Sequence, residues 1–142
     1  MSSDPKQAPV KWRSAPPYYE YLGFQLDELA DGRSAVRLPF RKHLGNSRGE
    51  VHGGAVASLA DAAMSQAVRS TIEVGSKVAT ISFTLNYLAP AHGDVVARGV
   101  VVKGGRGVSF AEAEVTDAGG TAVCRATAAY RHSPPKSGKG ET

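Results

Sequence analysis

The sequence has 142 residues, 42% apolar and 21% charged, with a formal net charge of +4. This length and composition fit one globular domain around a thin core, and they exclude a disordered or fibrous chain. The one cysteine, Cys124, cannot form an internal disulfide; no Cys/His cluster has metal-ligand spacing, and no apolar run approaches the ~18 residues that cross a membrane.

In chain order, residues 1–13 are polar and Pro-containing and read as a disordered tail. Residues 133–142 read the same way, so the folded domain is expected over 14–132. The tails carry much of the positive charge, at Lys6, Lys11, Arg13, Lys136 and Lys139. No basic helix or aromatic stacking strip accompanies it, and no nucleic-acid partner is expected. The N-terminus lacks the apolar middle of a secretory signal, so the expected location is cytoplasmic, with no membrane partner.

Pro16 and Pro17 open a short helix through Tyr18, Tyr19 and Tyr21 that Gly23 ends. Two short strands follow, near 24–29 and 33–38, joined at Ala30, Asp31 and Gly32. Residues 53–73 predict the one long helix. They are rich in Ala, Leu and Met, contain no Pro and stop before Gly75. That helix is small and apolar nearly all round, the pattern of a helix buried on most sides. Then the period changes to two. Ala79, Ile81, Phe83, Leu85 and Tyr87 alternate with Thr80, Ser82, Thr84 and Asn86, as in a half-buried strand over 79–89. Three more strands are expected near 94–103, 107–117 and 121–132, and their short turns imply antiparallel neighbours. An antiparallel sheet must cover its apolar face, and one long helix exists to do it. The expected fold is therefore α+β, a hotdog: a curved antiparallel sheet wrapped around one central helix.

The stretch that carries chemistry runs from Asn46 through His52, Gly53 and Gly54 to Asp61. Glycines at a helix start allow close approach of a ligand to backbone N–H groups that lack internal partners. Such groups can hold a thioester oxyanion. Asp61 lies two turns into the helix, and its same-face neighbours Gly54, Ala57, Ser58, Met64, Ser65 and Val68 cannot neutralise it. A carboxylate kept in so apolar a helix either faces solvent or works. Thioester hydrolysis suits a carboxylate acting nearly alone, because a thiol with a pKa near ~8.5 leaves without a strong general acid. Asp61 would be base or nucleophile. Asn46 either holds water or carbonyl or is a turn residue; His52 bonds either the loop or the substrate. Lys103, Gly104, Gly105, Arg106 and Gly107 form a turn between strands, with cations available for phosphate.

Together these residues resemble the PaaI-type acyl-coenzyme A thioesterases of the hotdog superfamily. The resemblance rests on Asn46, Gly49, His52, Gly53, Gly54, Leu59 and Asp61. Asn86, Tyr87, Leu88, Ala89 and Pro90 extend it, followed by Lys103, Gly104, Gly105 and Arg106. It covers about residues 20–132. It implies hydrolysis of acyl-CoA to free acid and coenzyme A, with Asp61 as the helix acid and the Gly53 N–H polarising the carbonyl. Asn46 and His52 would stand beside it in the loop, and Thr80 near the reaction centre. Coenzyme A would be held by Tyr87, Ala89 and the turn from Lys103 to Val108. It further implies a homodimer with joined sheets, often doubled to a tetramer, and neither metal nor bound cofactor. Strict alternation along the strand places Thr80 on the polar face, away from the helix. The runner-up function is a non-catalytic acyl-CoA binder or sensor. The acyl group stays open between aryl-acetyl and medium-chain.

Overall fold

The computed structural model describes residues 10–136. Helix α1 (Pro17–Leu22) begins on Pro16 and Pro17 and ends at Gly23, whose left-handed φ of 84° turns its N–H back onto the carbonyls of Tyr19 and Glu20. Strands β1 (Gln25–Ala30) and β2 (Arg33–Leu38) form a hairpin through Asp31 and Gly32. Both turn residues have positive φ, 52° and 80°, the geometry that matches the strands' own twist. A short 3-10 turn (Lys42–Leu44) leads to helix α2 (Gly53–Arg69). Strands β3 (Lys77–Tyr87), β4 (Val95–Gly104), β5 (Val108–Asp117) and β6 (Ala122–Ser133) complete the chain.

All six strands form one antiparallel sheet in the order β1-β2-β4-β5-β6-β3. Helix α2 lies in its concave face, with Leu59, Ala60, Ala62, Ala63, Met64 and Val68 fully buried. This is the expected hotdog. Strand β3, last in the sheet order though third in sequence, is an open edge.

The sheet accepts the helix so closely because its inner face is small. Ala97, Ala111, Ala113, Ala126 and Ala128 line it, and at the tightest point stands Gly99 of β4. A Cβ there would lie 2.6 Å from the carbonyl oxygen of Ala63 and 3.0 Å from the backbone nitrogen of Met64. Ser34 of β2 donates to that same Ala63 carbonyl at 2.6 Å. Backbone cannot swing aside as a side chain can. Gly99→Ala is therefore expected to destabilise the fold by about 1–3 kcal/mol, the range for overpacking a tight core. Thermal melting checks this; an unchanged melting temperature would mean that the helix rides higher on the sheet than described.

Three sequence expectations change. Helix α2 ends at Arg69, not at 73, because the Ser70 and Thr71 hydroxyls fold back onto the carbonyls of Ala67 and Val68 and compete with the helical ladder. The tail expected over 1–13 lies outside the described residues for 1–9, but its last residues are docked. The Arg13 N–H donates to Gln66 Oε1, Gln66 Nε2 donates to the Ser14 carbonyl, and Trp12 packs on Tyr19. Gln66 is fully buried in the helix and uses its amide to hold this strap. At the other end, Ser133 belongs to β6, and 137–142 lie outside the described residues.

The third change concerns β3. Its register against β6 slips between Thr80 and Ser82. Thr80 pairs with Tyr130 and Phe83 with Ala128, so three steps on β3 match two on β6: a one-residue bulge at Ile81. Before it the even positions face the helix; after it the odd ones do. Thr80 thus turns inward, against the strict alternation read from the sequence.

Candidate active site

The loop before α2 is organised by Asn46. Its Oδ1 accepts from the backbone N–H groups of Arg48 and Glu50, and its Nδ2 donates to Glu50 Oε1 at 3.0 Å. Most of its amide is thereby spent on the loop, as the turn reading of this residue requires. His52 caps the helix: its Nδ1 accepts from Gly54 N–H at 2.8 Å, and its carbonyl accepts from Ala55 and Val56. Of the four N–H groups at the helix start, only that of Gly53 has no acceptor among the described residues. Tyr87 braces this residue from β3, donating its hydroxyl to the Gly53 carbonyl at 2.7 Å. A cavity of about 380 Å³ opens here, lined by Asn46, Gly53, Tyr87, Leu88, Ala89 and Pro90. Capping by His52 and bracing by Tyr87 leave a single backbone donor aimed outward at the positive end of the helix dipole.

Asp61 opens into a second cavity of about 240 Å³, shared with Tyr19, Ser65, Arg69, Thr80 and Tyr130. Its carboxylate is held from one side. Oδ1 accepts from the Tyr130 hydroxyl at 2.6 Å and from the Thr80 hydroxyl at 3.4 Å. Among the described residues Oδ2 has no partner, and no cation lies within salt-bridge distance of Asp61. Tyr130 is wholly buried, and burial, reinforced by the charge of Asp61, pushes its phenol well above the usual range. It therefore remains a protonated donor at any working pH. Burial also raises the phenol of Tyr19.

Thr80 reaches Asp61 because of the bulge. Tyr130 carries no local motif, and sequence reasoning missed it. The usable signal was parity along β6: Cys124, Ala126 and Ala128 face the helix, and the next position in that series is Tyr130, large and polar-tipped.

The remaining sequence-predicted residues lie elsewhere. Lys103, Gly104, Gly105 and Arg106 are exposed at the β4–β5 turn, which leads through Gly107 into Val108. The Gly107 carbonyl accepts from His132 N–H, so the turn sits at the β6 end beyond Tyr130. It lines neither cavity just described. Within one chain, then, Asn46, His52, Gly53, Tyr87 and Ala89 form one group, Asp61, Thr80 and Tyr130 a second, and the turn a third. Gly53 and Asp61 are eight residues apart on one helix, ~12 Å at ~1.5 Å per residue.

Comparison with known proteins bears on this geometry. The family model described as "Domain of unknown function (DUF4442)" matches residues 10–131. The chain belongs to this family. A Halobacterium salinarum protein named "Putative esterase VNG_1336C" is 38% identical over 112 residues, which are 75% of this chain and 74% of that protein. Among solved structures, a thioesterase family protein from Silicibacter pomeroyi superposes with a TM-score of 0.78 at 30% identity, covering 82% of this chain and 89% of that one. A mutant of the phenylacetic acid degradation protein PaaI from Thermus thermophilus does so with a TM-score of 0.74 at 27% identity, covering 82% and 98%. This DUF4442 chain is thus a hotdog-fold protein of the PaaI thioesterase type. Among its described residues, no helix is long and apolar enough to cross a membrane, and no cluster of three or more His, Cys, Asp or Glu is placed to hold a metal.

The hydrogen bond from Tyr130 fixes which carboxylate oxygen stays open. Tyr130→Phe keeps the buried ring and removes the donor. It is expected to lower kcat about tenfold with little change in KM, the scale of one hydrogen bond to a charged group. Steady-state kinetics beside a melting curve checks this. An unchanged kcat, or loss of the fold, would assign Tyr130 to packing alone.

Proposed function

We propose that this protein hydrolyses acyl-coenzyme A thioesters at sites shared between two subunits. The observation that carries the reading is where the two half-sites meet the sheet edge. The free Gly53 N–H lies beside Tyr87 at one end of β3, and Asp61 beside Thr80 near the other. Strand β3 is an open edge that exposes Ile81 and Tyr87. Such an edge is a template for pairing with a second chain. If two β3 strands pair antiparallel about a two-fold axis, the Thr80 end of each meets the Tyr87 end of the other. Each Asp61 then faces the partner's Gly53, giving two equivalent sites per dimer.

In that arrangement the thioester carbonyl accepts the Gly53 N–H of one subunit, and Asp61 of the other supplies the open Oδ2. As a base, Asp61 takes a proton from water while the hydroxide adds to the carbonyl carbon. The oxyanion sits on the Gly53 N–H, the C–S bond breaks, and the proton returns to the departing sulfur. As a nucleophile, Asp61 adds first, expels the thiolate and leaves a mixed anhydride that water cleaves. Tyr87 and Ala89 line the approach on the Gly53 side. Lys103 and Arg106 are the cations offered to the phosphates of coenzyme A on the Asp61 side. A tetramer would be a dimer of such dimers.

The test is release of free coenzyme A from a panel of aryl-acetyl and straight-chain acyl-CoA substrates. Turnover supports the reading. Tight binding without thiol release would favour a non-catalytic acyl-CoA binder instead.

A further inference from the structure

Beyond Asp61 the same cavity continues along the helix. Asp61, Ser65 and Arg69 follow at intervals of four and form a half-exposed stripe on a helix otherwise largely buried over this stretch. Tyr19 and Ser14 face the stripe, and with Pro16 and Val78 as its apolar residues the cavity wall is mainly polar from Asp61 to Arg69. An acyl pocket made for a plain alkyl tail would be lined by apolar groups.

Arg69 is the residue without an assignment. Among the described residues its guanidinium makes one hydrogen bond, from Nη1 to the Ser76 carbonyl at 3.2 Å, out of the five N–H donors that Arg carries. Among the described residues it has no carboxylate within salt-bridge distance. The end of the helix does not need it, because Arg13 donates to the carbonyls of Arg69 and Ile72 there. Partial burial pushes its pKa down. Tyr19 lines the same cavity as Asp61 and Arg69.

We infer that the acyl group taken by this site ends in an anion, a carboxylate at the far end of a short chain, and that Arg69 receives it. The inference rests on the thioesterase reading above and names the substrate class of that same site. The size fits. Asp61 and Arg69 are ~12 Å apart along the axis, and the Arg69 guanidinium sits at the far end of the cavity, on the Ser76 carbonyl. A reacting contact of ~3 Å at one end and a hydrogen bond of ~3 Å at the other leave ~6 Å between them, the span of an acyl chain of about six carbons. Guanidinium and carboxylate pair in a planar two-bond fork, which gives discrimination that no methyl terminus can match.

The experiment compares kcat/KM for adipyl-CoA and hexanoyl-CoA, six-carbon acyl groups that differ in a terminal carboxylate against a methyl. Both are measured on wild type and on Arg69→Met. The wild type is expected to prefer adipyl-CoA by at least about tenfold, and Arg69→Met to lose that preference while keeping its rate on hexanoyl-CoA. The ratio within one preparation is unaffected by the fraction of folded protein. A wild-type preference for hexanoyl-CoA overturns the inference and leaves the thioesterase reading intact. So does an equal loss on both substrates in Arg69→Met, which would place Arg69 on coenzyme A or in the fold. Absence of turnover on every thioester tested overturns both.

Discussion

Asp61→Asn is expected to lower kcat by at least about 100-fold, the scale of losing an acid–base group. The substitution is nearly isosteric. The amide oxygen can still accept from Tyr130 and Thr80, whose hydroxyls both point at Oδ1. What changes is the open position, where an NH₂ that neither takes a proton nor attacks a carbonyl replaces Oδ2. Because Asp61 is half-exposed and forms no ion pair among the described residues, the fold loses no salt bridge there. The melting temperature should stay within about 3 °C, equivalent to less than about 1 kcal/mol for a domain of this size. Release of coenzyme A, followed directly beside a melting curve, separates the two effects. Full turnover in this variant would remove Asp61 from the chemistry.

Gly53→Pro is expected to lower kcat by about 100- to 1,000-fold, the cost of one lost oxyanion donor. Proline deletes the N–H, and the helix tolerates it because position 53 is its first residue, where proline is favoured. His52 already has φ −60° and ψ 137°, the extended conformation that a following proline requires. A side chain at 53 also has room, since a Cβ would meet the Tyr87 ring at 3.5 Å, ordinary contact. Gly53→Ala is the control. It adds the same Cβ, keeps the N–H and should stay within about threefold of wild type. If the alanine and proline variants fall equally, shape at position 53 matters and the backbone donor does not.

Much of the fold was legible because its signals are local. The Ala-rich helix, the Asp31–Gly32 turn and the period-two strands each follow from short windows of sequence, and their order leaves one economical packing. What was not legible depends on partners distant in sequence. The bulge at Ile81 exists only in the register of β3 against β6, so alternation along β3 alone pointed Thr80 the wrong way. Tyr130 meets Asp61 across 69 residues of chain. The Arg13–Gln66 strap spans 53 and pairs a buried amide with a segment whose composition resembles a tail. At the site, the junction and Asp61 were visible as residue types in unusual places. The division of labour was not, because Asn46 and His52 can equally be read as substrate contacts until their hydrogen bonds are seen serving the loop and the helix cap.

The shared site is tested most directly by refolding Asp61→Asn and Gly53→Pro together, after each homodimer has been shown to be folded and nearly inactive. In a mixed dimer, one site joins the intact Gly53 of one chain to the intact Asp61 of the other, and the second site holds both substitutions. Coenzyme A release should reappear, at up to half the wild-type rate per mixed dimer. If mixed dimers form and remain as inactive as their parents, each site is built within one chain and the cross-subunit arrangement is wrong.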